Sequence, residues 1–266
     1  CGRLKGKAAI VTGGGSGIGR AVCLALLREG AAVAAVDLYG DKAEETAGLF
    51  DGKGGGIRPL CIGADVRKES DMEGMARGVL DAFGRIDILV HCAGILRGRG
   101  SVPRFMSEIS AEEMNNVIDT NVKGTFFSNR AVLPAMIRQR CGSIVNISST
   151  SGLKGRAFDS VYCASKFGVV GLSESLAEEV MQFGVKVQTV MPDAVDTPLW
   201  EQNGPVKAPD YSLKPERVAD LIVYMLSLPE DTVLQNIVIS PFRTRKRKAR
   251  AQGASAEEVK GEGVGS

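Results

Sequence analysis

The chain has 266 residues, of which 44% are hydrophobic and 24% charged, with a formal net charge of +2. That length and composition suit one large α/β domain better than two separate ones, and so small a net charge marks no partner class. The single histidine, His91, excludes a histidine-rich metal site, and no apolar run is long enough to span a bilayer. Six cysteines (Cys1, Cys23, Cys61, Cys92, Cys141 and Cys163) form no C-x-x-C pair and show no metal spacing. Scattered thiols of this kind fit a reducing compartment. With no signal peptide ahead of the first strand, the expectation is a cytoplasmic protein without a membrane segment or a metal.

In chain order, "AAIVT" (8–12) reads as a first buried strand, and "TGGGSGIG" (12–19) follows it directly and opens a helix over 17–29. In this placement Gly13 permits the tight turn, Gly17 lets backbone approach a pyrophosphate, and Gly19 lets the helix pack close to the sheet. Phosphates would then lie at a helix N-terminus, beside Ser16 and Ile18, among free N–H groups. A second strand, "AAVAAVD" (31–37), ends on Asp37, about twenty residues beyond the glycine turn. A carboxylate there accepts hydrogen bonds from both ribose hydroxyls of NAD and repels the extra phosphate of NADP. Its plainer reading is a helix cap for the pattern at 40–50.

The third strand, "IRPLCI" (57–62), leads to Asp65 and Val66. They suit an adenine edge and face, or equally a cap for the helix at 69–83. The fourth, "IDILVHC" (86–92), runs into Cys92, Ala93 and Gly94, residues small enough for a ligand to approach the backbone. A long helical pattern over 111–138 carries Asn121. "SIVNIS" (143–148) is the fifth strand, with Ser149 just past it. The helix at 160–183 holds Tyr162 and Lys166 four residues apart, hence on one face. Taken alone, the pair reads either as a core phenol with a snorkelling lysine or as a phenol tuned by an ammonium. "VKVQTVM" (185–191) is the sixth strand, followed by Pro192, Val195 and Thr197. A helix at 215–228 and "NIVIS" (236–240) close the pattern.

Seven mostly apolar strands separated by six helices argue a doubly wound sheet, seven-stranded and mainly parallel, with helices on both faces. One domain is expected over 1–242. Residues 243–266, "RTRKRKAR" and then a Gly/Ala/Glu-rich run, are expected to be a flexible tail. The tail carries no aromatic platform for bases, so no nucleic-acid partner is expected.

With these residues assembled, the chain resembles the short-chain dehydrogenase/reductase family of single-domain, Rossmann-type enzymes over about Leu4 to Ile239. The family's glycine motif falls on Thr12, Gly13, Gly17 and Gly19, its Y-x-x-x-K on Tyr162 and Lys166, and its serine on Ser149, thirteen residues before the tyrosine. The asparagine of its catalytic tetrad falls on Asn121. The resemblance implies that Tyr162 is the general acid/base. Lys166, with the positive nicotinamide, would lower its pKa and hold the nicotinamide ribose, Ser149 would stabilise the alkoxide, and Asn121 would position a water. It implies NAD as cofactor, a small alcohol or ketone as substrate, Thr197 on the carboxamide, and a homodimer or homotetramer built on the helices at 111–138 and 160–183.

Three departures from the pattern stand out. Cys92 replaces an asparagine and reads as an inert thiol. Asp193 replaces the glycine of a P-G turn and is expected to point to solvent. The close of the last strand, "ISPFRTR", also differs. Leu153, Phe158, Leu199 and Trp200 are the candidate substrate contacts, with Trp200 equally readable as a loop anchor. The expected activity is interconversion of a secondary alcohol or hydroxyacyl compound with its ketone. Rivals are a 3-oxoacyl-thioester reductase, disfavoured by Asp37, and a non-catalytic NAD(H)-sensing regulator, which would need no proton relay.

Overall fold

Continuous apolar runs of β-branched and small residues form strands that can only be satisfied when covered on both faces, and all seven runs do so. In the computed structural model, which describes residues 2–52, 58–98 and 100–242, they are β1 (Ala8–Thr12), β2 (Ala32–Asp37), β3 (Leu60–Gly63), β4 (Ile88–His91), β5 (Gly142–Ile147), β6 (Val185–Pro192) and β7 (Ile237–Ile239). They make one sheet in the order β3-β2-β1-β4-β5-β6-β7. Every pairing is parallel, so "mainly parallel" becomes all parallel. Ile57, in the expected start of the third strand, and the expected tail at 243–266 lie outside the described residues.

The helices are α1 (Gly17–Arg28), α2 (Gly40–Gly48), α3 (Glu69–Phe83), α4 (Ala111–Ile118), α5 (Gly124–Gln139), α6 (Ser160–Val180) and α7 (Pro215–Leu226). Alternate strand residues feed two cores. On one face Val11, Val90 and Val145 pack with Leu26 of α1 and Ile222 of α7. On the other Ile10, Leu89 and Ile144 pack with Met72 of α3, Met136 of α5 and Leu176 of α6.

Two long helices differ from the sequence pattern. The run at 111–138 is divided by a π-turn at Asp119–Lys123, which opens the helix at Asn121. Such wider turns are rare and gather at functional positions. The run at 160–183 ends as α-helix at Val180 and finishes in a 3₁₀ turn, Met181–Phe183.

The chain winds from β1 out to β3 and then returns to lay β4 on the other side of β1. The loops after β1 and β4 therefore diverge and leave a crevice at the carboxyl edge of the sheet, where open α/β sheets take their ligands.

Candidate active site

The turn after β1 is shaped by glycines whose side-chain positions are already occupied or conformationally forbidden. Gly13 has φ +65°, and a Cβ there would meet the backbone N of Ala93 at 2.9 Å. Gly17 has φ +49° at the start of α1 and lies against Thr197, whose Cβ would be 3.2 Å from an added methyl. A Cβ on Gly19 would collide with the Gly13 carbonyl, so only glycine lets α1 pack this close. Gly15, which sequence reading passed over, is equally constrained, since its methyl would meet Lys42 Cβ at 2.5 Å and Asp37 Oδ2 at 2.7 Å.

Asp37 terminates β2 and reaches back to the turn, where Oδ2 accepts the Gly15 N–H at 3.0 Å. Ser16 is exposed and caps nothing, while Ile18 packs partly into the core. This cradle of glycines, a helix N-terminus and a carboxylate fits a dinucleotide.

Further round the crevice the assignments fare differently. Asp65 is gripped by Arg67, which donates from Nε at 2.9 Å to Oδ1 and from Nη2 at 2.7 Å to Oδ2. That hold keeps the carboxyl below its ordinary pKa. Val66 is buried where a Cβ on Gly124 would touch its Cγ2 at 2.8 Å, so it packs on the start of α5. Cys92, Ala93 and Gly94 follow β4 beside Gly13. Burial pushes the Cys92 thiol up to about 12, which makes it an inert, protonated group. Pro192 and Val195 are buried at the end of β6.

The candidate reactive side chains converge beyond the end of β5. Side-chain hydrogen bonds stitch β5 to α6: Asn146 Nδ2 donates to Ser173 Oγ at 2.9 Å and Ser148 Oγ to the Lys166 carbonyl at 2.9 Å. Lys166 Nζ donates to the Ile147 carbonyl at 3.0 Å. This docking brings the Ser149 hydroxyl to the Tyr162 phenol, near enough to lower its pKa. Lys166 Nζ lies 5.6 Å from the centre of the Tyr162 ring. Burial pushes Lys166 down to about 8.

Tyr162 moves the other way. Burial of its hydroxyl pushes it up to about 12, Ser149 only partly offsets this, and Lys166 is not among the groups that lower it. The expected lowering joins Lys166 with the positive nicotinamide, and the protein's own groups leave the phenol high. The ammonium faces the ring and a carbonyl, and desolvation outweighs it.

Asn121 uses its amide fully. Oδ1 accepts the Ile95 N–H at 2.8 Å, and Nδ2 donates to the Ile95 carbonyl at 2.8 Å and to Ser165 Oγ at 2.9 Å. The side chain thus pins the loop after β4 to α6, and a Cβ on Gly94 would stand 3.2 Å from Asn121 Oδ1 and 3.5 Å from Lys166 Nζ.

Tyr162 also lines a narrow cleft of about 20 Å³ whose walls include Leu96, Arg97, Val102, Val117 and Phe158. Of the expected substrate contacts Ser149, Leu153, Phe158, Leu199 and Trp200, only Phe158 lines it. Phe158 adopts φ +67°, a strained conformation for a side chain of this size. It is held there by Arg97, whose Nη2 donates to the Phe158 carbonyl at 3.0 Å and pairs with Asp159. The Phe105 ring packs edge-on against Phe158 at 5.4 Å. Leu153 is exposed and Leu199 half-buried. Trp200 anchors its loop, donating its indole N–H to the Val195 carbonyl at 2.8 Å. Leu96 and Arg97 escaped sequence reading because their loop has no periodicity. The signal available was their position just past the end of β4.

Asp193 corrects a second expectation. It does not point to solvent, because Oδ1 accepts from Thr150 Oγ1 at 3.2 Å and from Arg156 Nη2 at 3.1 Å.

A family model described as short chain dehydrogenase matches residues 7–207. The chain belongs to the short-chain dehydrogenase family. Among curated relatives of this short-chain dehydrogenase is a human (3R)-3-hydroxyacyl-CoA dehydrogenase, 36% identical over 241 residues, covering 85% of this chain and 90% of that one. Among solved structures, a 3-ketoacyl-(acyl-carrier-protein) reductase from Brucella melitensis complexed with NADH has a TM-score of 0.77 at 29% identity, over 89% of this chain and 97% of that one. A metagenomic short-chain oxidoreductase in complex with NADP also has a TM-score of 0.77, at 28% identity, over 91% of this chain and 100% of that one. The short-chain dehydrogenase described here is an oxidoreductase with their fold. No helix among its described residues is long and apolar enough to cross a membrane.

Proposed function

We propose that the chain is an NAD(H)-dependent oxidoreductase that interconverts a secondary alcohol, or a hydroxyacyl compound, and its ketone, with Tyr162 as the proton-transferring group. The reading rests on one observation: the Tyr162 phenol beside the Ser149 hydroxyl, with the Lys166 ammonium 5.6 Å from the centre of its ring, next to a glycine cradle at the sheet's switch point. When bound, the dinucleotide supplies or accepts the hydride. The chain's own residues manage the oxygen and its proton. In ketone reduction, Ser149 holds the carbonyl oxygen and Tyr162, protonated at neutral pH, donates its proton there. In alcohol oxidation Tyr162 takes the alcohol's proton as its phenolate and becomes the neutral phenol, while the Ser149 hydroxyl donates a hydrogen bond that steadies the alkoxide. Asn121 acts as a positioning residue that fixes the loop above Gly94 against α6.

NAD is the preferred cofactor in this reading because Asp37 places a negative charge at the ribose end of the cradle. The acyl-thioester reductase reading stays second. It is favoured by what the relatives' names say of those proteins, and the cytoplasmic setting suits either.

The test is Tyr162→Phe. Turnover of a secondary-alcohol panel, followed by reduced nicotinamide absorbance, should fall by about 10²- to 10⁴-fold. NADH binding by fluorescence titration should stay within about twofold of wild type. Retained turnover in that variant refutes the assignment. An NAD(H)-sensing regulator would bind NADH and turn over nothing even as wild type.

A further inference from the structure

Among the described residues three other than glycine adopt positive φ: Arg140, Phe158 and Asn236. Arg140 closes α5 as its left-handed cap, and an asparagine takes this conformation at little cost. Neither reason serves Phe158. It precedes Asp159, the N-terminal cap of α6, at φ +67°, where an aromatic side chain stores strain that a glycine would not. A buried cation holds that strain in place. Arg97 is 7% exposed; its Nη2 donates to the Phe158 carbonyl at 3.0 Å and pairs with Asp159, while Nη1 donates to Asn203 Oδ1 at 2.5 Å. What the strain achieves is the placing of a ring. Phe158 is 48% exposed, and Phe105, 66% exposed, packs against it with ring centres 5.4 Å apart at 68°. Packing alone does not account for the pair, because both rings keep much of their surface in water. Phe158 lines the same cleft as Tyr162, along with Leu96 and Val102. At about 20 Å³ that cleft admits no ring, so a large substituent on the substrate has to lie over its rim, on the open side of Phe158.

We propose that Phe158 and Phe105 form an aromatic platform for the substrate, so that the enzyme acts on secondary alcohols and ketones carrying an aryl group within a few bonds of the reacting carbon. This rests on the alcohol–ketone reading above and deepens it. An aryl group suits the platform because rings pair edge-on or offset, as these two already do, and such pairs contribute more than the area they bury. The platform binds and takes no part in bond making.

The experiment compares 4-phenylbutan-2-one with butanone, ketones of like intrinsic reactivity, as substrates of the wild type, Phe158→Ala, Phe158→Gly and Phe105→Ala. The unfolding temperature of each is measured beside it. Wild type should favour the phenyl ketone by about tenfold or more in kcat/KM, the effect of covering one ring. Both Phe158 variants should lower that preference to about twofold, and Phe105→Ala should remove part of it. Glycine relieves the strain that alanine keeps, so Phe158→Gly should melt a few degrees above Phe158→Ala. A preference lost equally by two variants of unequal stability is a substrate effect. In parallel, calorimetry of 4-phenylbutan-2-ol with the protein–NADH complex reads binding without turnover, since a reduced nicotinamide cannot accept hydride. Its affinity should fall about tenfold in both Phe158 variants. An unchanged ratio or unchanged affinity in those variants overturns the proposal, as does a loss larger in Phe158→Ala than in Phe158→Gly, which would follow stability. If light scattering shows that Phe105→Ala lowers the mass while the ratio holds, the rings join copies of the chain and the proposal fails. If the wild type reduces neither ketone, the alcohol–ketone reading fails, while the calorimetric arm still decides the platform.

Discussion

At the scale of single residues, burial decides more than pairing does. Tyr162 and Lys166 are both moved by desolvation, in opposite directions, so each favours its uncharged form more than it would in water. His91 shows the same force away from the proton relay. It is buried at the end of β4, shares a hydrogen bond with Thr12 Oγ1 through Nδ1 at 2.9 Å, and is pushed down to about 3, first by burial and then by Lys166. An unfolded histidine titrates near 6.5, so between these values the unfolded chain binds a proton that the folded chain refuses. Stability is therefore lost as pH falls from about 6.5 toward 3 and is fully present above that window. At pH 5 the loss relative to pH 7 should be about 2 kcal/mol. Urea unfolding of wild type and His91→Asn at both pH values should show a smaller pH difference in the variant by about that amount. Identical slopes would mean that His91 accepts its proton while folded. The sequence makes this residue conspicuous as the only histidine, but its depressed pKa is a property of the packed sheet end.

At the scale of elements, the ends of strands carry the chemistry and the helices aim it. Asp37 is the last residue of β2 and Gly15 belongs to the turn after β1, and parallel pairing of β1 with β2 is what lets the carboxylate accept the Gly15 N–H. Asp37→Asn keeps an acceptor for that N–H and removes the charge. The ratio of kcat/KM for NADPH to that for NADH should rise by about tenfold or more, because repulsion of the extra phosphate is gone. An unchanged ratio would place cofactor choice elsewhere. The strand and helix positions were legible in the sequence because a sheet covered on both faces imposes unbroken apolar runs with helices between them. The π-turn at Asp119–Lys123 was not. It depends on Asn121 bonding both backbone groups of Ile95, a contact across 26 residues that no local pattern announces.

At the scale of the whole molecule, large apolar side chains remain exposed on the helices that cover the sheet. Met114 of α4, Phe126 of α5 and Phe167 of α6 are each about half exposed, on the helices through which the resemblance implies a dimer or tetramer. Light scattering should give a mass above the 28.1 kDa of one chain, and Phe167→Asp should shift it downward. A monomeric wild type would refute assembly through these helices. The sequence by itself determined the architecture and the glycine turn and marked Ser149, Tyr162 and Lys166 as candidates, because periodicity and motif spacing are local quantities that survive without coordinates. Only the tertiary structure decided that the phenol lies above its ordinary pKa and that Trp200 anchors its own loop. It also decided that Asp193 pairs with Arg156 and Thr150 and does not point to solvent. Desolvation and hydrogen bonding act between atoms that are distant along the chain, and folding alone sets those distances.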